Sequence, residues 1–354
     1  MNFWHRHRLG DALTPAGWWR LRPLAVPAAP TALRAMVGAN IVLAVVVLAG
    51  HAEWAPAAAF GGMTAVHARF EPHAIRARLL AWVGAGLTLC VALGSAAGAA
   101  RWGPLPVVIL VALVAAVAKL LTDAVDAGPP GGLMFVFAVA TMSVLPGTWT
   151  GVAAQTGVAA LGAVVAWATG LAGWWFSRSG HQKPAAWRAG VRAALRRSSH
   201  EFGRAAKVGL GVFAAGLAAH LLDLGHPYWT MIAAAAVLQS THLRHTVHRT
   251  VQRVLGTLAG AVIAALLLAA ALPLPVKLAC VVIALLGAEL TVIRNYALAM
   301  LFVTPLTLLL GSLLAQGSAF GTASDRVLDT ALGAVIGLVA ALVRPGRGYH
   351  TAAA

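Results

Sequence analysis

"HPYWTMIAAAAVLQSTHLRHTVHRTVQRVLGTLAG", residues 226–260, decides how the rest of the chain is read. An apolar stretch opens at Tyr228, stops at a segment rich in His and Arg, and resumes at Val254. A bilayer core of roughly 30 Å takes ~20 helical residues at ~1.5 Å each. By that rise, Tyr228 to Ser240 supplies only about 20 Å of helix. It is too short for an ordinary span.

The surrounding chain nonetheless belongs in a membrane. Hydrophobic residues make up 60% of it and charged residues 10%, against about 25% charged in soluble domains. Mean hydropathy is +0.81. Apolar blocks recur along the whole length without the alternating pattern of a transmembrane barrel, so the expected fold is all-α and polytopic. The opening "MNFWHRHRLGDALTPAGWWRLRPLAVPAAP" has no apolar core between its basic residues, so no cleavable signal is expected. Trp4, Trp18 and Trp19 amid Arg and His suit a segment lying at the interface. A net charge of +16 raises nucleic acid as a partner. The Arg residues fall mostly in short loops between apolar blocks, where the positive-inside rule puts them, and that partner is not expected. Cys90 and Cys280 sit inside apolar blocks as small buried thiols.

Twelve blocks are legible: 32–50, 54–67, 79–100, 104–122, 131–147, 151–176, 207–224, 228–241, 254–272, 274–293, 295–314 and 326–343. With both termini cytoplasmic, the inside loops hold Arg69, Arg76, Arg78, the dense 178–207 segment, Arg244, Arg249 and Arg253. The outside loops are nearly free of positive charge except Arg101, Lys277 and Arg326. The blocks form two similar halves. "HAEWAPAAAFGGMTAVHARFEPHAIRARLL" from His51 aligns without gaps to the stretch from His226, placing Trp54 on Trp229, His67 on His242 and Arg78 on Arg253. "ALGAV" recurs at 160–164 and 331–335. Six spans per half keep both copies in one orientation, as parallel repeats do. The expected organisation is a basic N-terminal segment (1–31), a first membrane repeat (32–176), a cytoplasmic amphipathic linker (177–206), a second repeat (207–344) and a tail (345–354).

Both halves carry the short block at the same place, each followed by His, Arg and a long apolar run. Short apolar segments at matching positions of two repeats point to a transporter's binding site. One reading is a helix that reaches mid-depth, then breaks or turns polar beside a cavity, with Gln239 and Ser240 available to a solute. The other is a tilted or peripheral helix followed by a basic loop.

"YWTMIAAAAVLQS" followed by "TVQRVLGTLAGAVIAALL" resembles the signature of the fusaric acid resistance (FUSC) family of bacterial inner-membrane proteins. There an aromatic pair opens a short helix, and an Arg-Val-Leu-Gly-Thr-x-x-Gly run begins the next. "DRVLDTALGAVIGLVAALVRP" is similar to that family's closing helix. The resemblance covers 226–345 and extends in outline to 33–176. It implies two membrane halves and, since several members export aromatic carboxylic acids, a substrate of that class. Plant malate-channel proteins are distant relatives. The cytoplasmic region of relatives is reduced here to a short linker.

Candidate site residues follow. Arg253 and Arg78 stand where polar sequence turns apolar. A guanidinium stays charged and pairs bidentately with carboxylate, though a snorkelling Arg at headgroups has the same signature. Tyr228, Trp229, Gln239 and Ser240 complete the substrate-binding set. Glu289 and Asp329 are proton or ion relay candidates, because carboxylates within spans are costly, unless they pair with Arg294 or Arg326. "GTLAG" at 256–260 and "GAVIG" at 333–337 are small-xxx-small packing patterns. His242, His245 and His248 fan around a helix instead of converging on a metal, and no cofactor is expected. No Gly-Lys dipeptide or G-x-S-x-G occurs, so neither an ATP-binding P-loop nor a hydrolase elbow is present, and no enzyme is expected. The expectation is a secondary exporter of small organic acids, with an anion channel or a non-transporting scaffold as rivals. Its partners are the bilayer, a small organic anion and, as an open option, a second copy of the chain.

Overall fold

The computed structural model describes residues 28–68, 71–125, 127–128, 130–172, 199–240, 243–292, 294–312 and 318–343. These residues are helical, with no strand among them. The first half runs α1 (Ala28–Leu48), α2 (Ala55–Gly62, flanked by 3₁₀ turns Ala52–Trp54 and Met63–Val66), α3 (His73–Ala99), α4 (Pro104–Ala124), α5 (Leu133–Val144) and α6 (Trp149–Gly170). The second runs α7 (Ser199–Leu221), α8 (Pro227–Leu238), α9 (Leu243–Ala269), α10 (Leu274–Thr291), α11 (Tyr296–Gly311) and α12 (Ala319–Leu342). Each apolar block of the sequence meets one of these helices. The expected linker and both termini lie largely outside the described residues.

Starts are set by local chemistry. Pro227 opens α8 and Pro104 opens α4, where a missing N–H costs nothing. Thr148, Asn295 and Ser318 cap α6, α11 and α12 by accepting backbone N–H groups through their side chains.

Among the described residues six helices, α3, α4, α6, α7, α9 and α10, are long and apolar enough to cross a membrane. Shorter apolar helices are α5, α8 and α11. The short block is thus a short helix: α8 has 12 residues, about 18 Å of rise. Trp229 to Leu238 are all buried, as are all eight residues of α2. That burial rules out a peripheral position for either element. Four helices begin well ahead of their blocks: α3 at His73 and not at 79, α7 at Ser199 and not at 207, α9 at Leu243 and not at 254, because the basic run after Ser240 is helical, and α12 at Ala319 and not at 326. Buried partners let charged residues be helical where hydropathy alone reads a loop.

Packing pairs recur between the halves. In the first, α1 meets α2 and α6, α2 meets α6, α3 meets α5 and α6, and α4 meets α5. In the second, α7 meets α8 and α12, α8 meets α12, α9 meets α11 and α12, and α10 meets α11. Across the halves α4 packs on α7, α10 on α1, and α5 on α8. One core cluster holds Val83, Val111 and Val139 together with Val212, Ile232 and Ala235. At the α4–α7 contact Lys119 Nζ lies 2.8 Å from Asp123, whose other oxygen is 3.7 Å from Arg204.

Candidate functional site

The site forms where two helix pairs of the second half meet. Helices α8 and α12 are pressed together by Gly333 and Gly337. A Cβ on Gly333 would stand 2.1 Å from the Thr230 carbonyl oxygen, and one on Gly337 would stand 3.0 Å from that of Ala234. Both numbers increase together along the two chains, so the helices run parallel. This approach puts Asp329 against Thr230, whose Oγ1 donates to the carboxylate at 2.9 Å. One turn earlier, the Arg326 guanidinium carbon lies 4.9 Å from the Trp229 ring centroid. At the start of α8 the His226 ring stacks on Trp229 at 4.2 Å, and its Nδ1 is 3.4 Å from Asp325. Burial holds His226 below its ordinary pKa; Asp325 opposes that effect and Arg326 adds to it.

Helices α9 and α11 form the other pair. Gly256 abuts the Ala297 carbonyl oxygen at 2.4 Å from its would-be Cβ, and Gly260 that of Met300 at 2.7 Å. One turn before Gly256, Arg253 donates from Nη1 to the Tyr296 hydroxyl and lies 3.8 Å from Met300 Sδ. The Arg249 guanidinium sits 4.2 Å above the Tyr296 ring. Gln252 donates to Asn295 at 3.3 Å, and Asn295 in turn caps α11.

Packing of α9 on α12 brings these pairs together, and Arg326 comes within electrostatic reach of Arg253, Tyr228, Asp329 and Tyr296. Arg253 is 3% exposed and Arg326 1%. Among the described residues no hydrogen-bond partner meets Arg253 Nε, Arg326 Nε and Nη1, or Asp329 Oδ2. Thr257 and Thr330, one turn beyond the two arginines, bury hydroxyls in the same condition. A buried cation without a hydrogen-bonded counter-charge is costly by several kcal/mol (roughly). Such groups can hold a carboxylate on fixed N–H and O–H donors.

Of the sequence-predicted residues, Arg253, Trp229, Tyr228 and Asp329 converge here. Gln239 and Ser240 lie at the far end of α8, half-buried, with Gln239 Oε1 beside Gly131 of the first half. Arg78 is exposed on α3, apart from the cluster. Glu289 is buried on α10, which packs on α11 and α1. His245 is exposed and His248 half-buried, while His242 lies outside the described residues. Sequence reading placed Arg326 in an outside loop; the structure puts it inside α12, where it is nearly inaccessible. Phe320 and Ala323, ahead of it at helical spacing, were the available signal. Tyr296 and Thr230 were missed, because neither carries charge or breaks a pattern.

A multi-pass, all-helical membrane protein with buried arginines between aromatic rings is the class that this fold and site define. Residues 213–340 match the family model described as fusaric acid resistance protein-like, which upholds the resemblance over the second half. A membrane protein of Bacillus subtilis (strain 168), the "uncharacterized membrane protein YvaC", is 34% identical over 142 residues, 40% of this chain and 22% of the relative. The match thus spans about a fifth of that relative's length. No solved structure matches.

Proposed function

We propose that this protein is a secondary exporter of small aromatic or other organic acids in the bacterial inner membrane, with both termini cytoplasmic. The observation that carries the reading is Arg253: buried, with Nε unpartnered and Nη1 on Tyr296, within a helix otherwise suited to cross a bilayer. The fusaric acid resistance-like match of the second half supports the substrate class. An interior-negative membrane pushes an anion outward by roughly 2.3 kcal/mol per charge per 100 mV, so voltage alone can drive export. A proton gradient is an additional drive, with Asp329 as its relay on this reading. The recurrence of packing pairs supports twelve membrane segments in two parallel six-helix repeats, the short ones enclosed by the long. Gln239 and Ser240 then stand at the cytoplasmic mouth, and the start of α8 faces outward.

Uptake of a fluorescent aromatic acid into inverted vesicles, normalised to protein amount, tests this. Arg253→Ala abolishes uptake with insertion intact. Arg253→Lys keeps the charge but loses the planar fork, giving weaker apparent affinity and partial transport. Full uptake by Arg253→Ala would remove the residue from the site. Saturable flux marks a carrier and ohmic flux a channel.

A further inference from the structure

We infer that Arg326 is a second anion-binding group beside Arg253, and that the two arginines, balanced by Asp329, select a cargo with a single negative charge. This rests on the proposed transport of organic acids and deepens it.

Arg326 is not explained as half of an ion pair. Among the described residues it forms no ion pair, and its guanidinium carbon lies over the Trp229 ring at 4.9 Å. Asp329, one turn on, gives Oδ1 to Thr230. A cation–π contact satisfies neither Nε nor Nη1, and it does not offset the desolvation of a buried guanidinium. The group is 1% exposed and two of its three nitrogens lack partners. An oxyanion accepting from them supplies what the fold withholds.

The charge count sets the cargo. Arg253 and Arg326 bring two positive charges and Asp329 one negative, and these are the fully buried charges of the cluster. Arg249 and Asp325 flank it half-buried, one of each sign, and cancel. The buried net charge is +1, which one carboxylate neutralises. A dicarboxylate would leave an uncompensated negative charge in a low-dielectric interior, at substantial cost.

Benzoate and terephthalate, one ring with one or two carboxylates, test this in inverted vesicles carrying the full-length chain. Wild type takes benzoate in preference. Asp329→Asn raises the buried charge to +2 and shifts the benzoate-to-terephthalate affinity ratio at least tenfold toward the dicarboxylate. Arg326→Gln weakens benzoate at least tenfold, and Arg326→Gln with Asp329→Asn restores benzoate preference by returning the charge to +1. A merely structural Arg326 changes protein yield and leaves this ratio fixed. Uptake in which Asp329→Asn leaves the ratio unmoved and Arg326→Gln leaves benzoate affinity unchanged overturns the Arg326 assignment alone. No uptake of either acid by wild type overturns the transport reading, and this inference with it.

Discussion

Arg253 and Arg326 are both buried but are held differently, and the difference lies in their neighbours. Arg253 leans on a hydroxyl and a thioether from α11, while Arg326 lies over the face of an indole with no hydrogen bond to Nε or Nη1 among the described residues. Asp329 is fixed by the hydroxyl of Thr230. Thr230→Val keeps the shape and removes that donor, leaving a buried carboxylate oxygen unsatisfied at a cost of about 1–3 kcal/mol. Its thermal midpoint in detergent should fall while Thr230→Ser stays near wild type. Equal midpoints for the two variants would mean that the hydrogen bond contributes nothing. Arg253 was legible in the sequence because it sits at a repeat-matched position, ahead of a glycine pair that announces close packing. Arg326 was hidden because hydropathy reads a charged residue flanked by Asp325 as loop.

At the scale of elements, glycine decides how closely helices approach and therefore which side chains meet. The Gly333 Cα faces the Thr230 carbonyl so closely that any Cβ must displace backbone. Gly333→Val should force α8 and α12 apart, lower the thermal midpoint and abolish transport by separating Asp329 from Thr230. Gly157→Ala in α6, where nothing lies within 4 Å, is the matched control. Alanine's helix propensity should leave that variant unchanged or stabilise it by up to about 1 kcal/mol. A folded, active Gly333→Val would refute the α8–α12 contact. The brevity of α8 has its reason here too. An element enclosed by other helices does not have to match the bilayer thickness, so it can end at Leu238 without exposing polar backbone to lipid.

The whole molecule is held by exchanges between halves: α4 of the first packs on α7 of the second, and α10 of the second on α1 of the first. A Cβ on Gly209 would lie 3.0 Å from that of Ala116, close to disulfide range. In a chain whose native cysteines are replaced, Gly209→Cys with Ala116→Cys should cross-link on oxidation. The halves should then stay joined after cutting at a protease site placed at Gly180, and separation under non-reducing conditions would refute the α4–α7 contact. Reporter fusions at Gly180 and Ala354 should both report the cytoplasm, as Arg density predicts. A periplasmic signal at Gly180 would break the six-plus-six scheme.

By itself the sequence determined that the chain is helical and membrane-embedded, where its blocks fall, and that two of them are too short. Those properties are local: hydropathy, proline, glycine and charge act within a turn or two of where they stand. It also showed a second half resembling a known family, because that signature lies within contiguous segments. Only the tertiary structure decided that the short helices are enclosed, that Arg326 belongs inside α12, and that Arg78 stays outside the cluster. Each depends on which face of a helix meets another helix, and contacts such as Thr230 with Asp329 join residues 99 positions apart. Burial of a charge is settled by the partners that such contacts bring, and hydropathy along the chain carries no record of them.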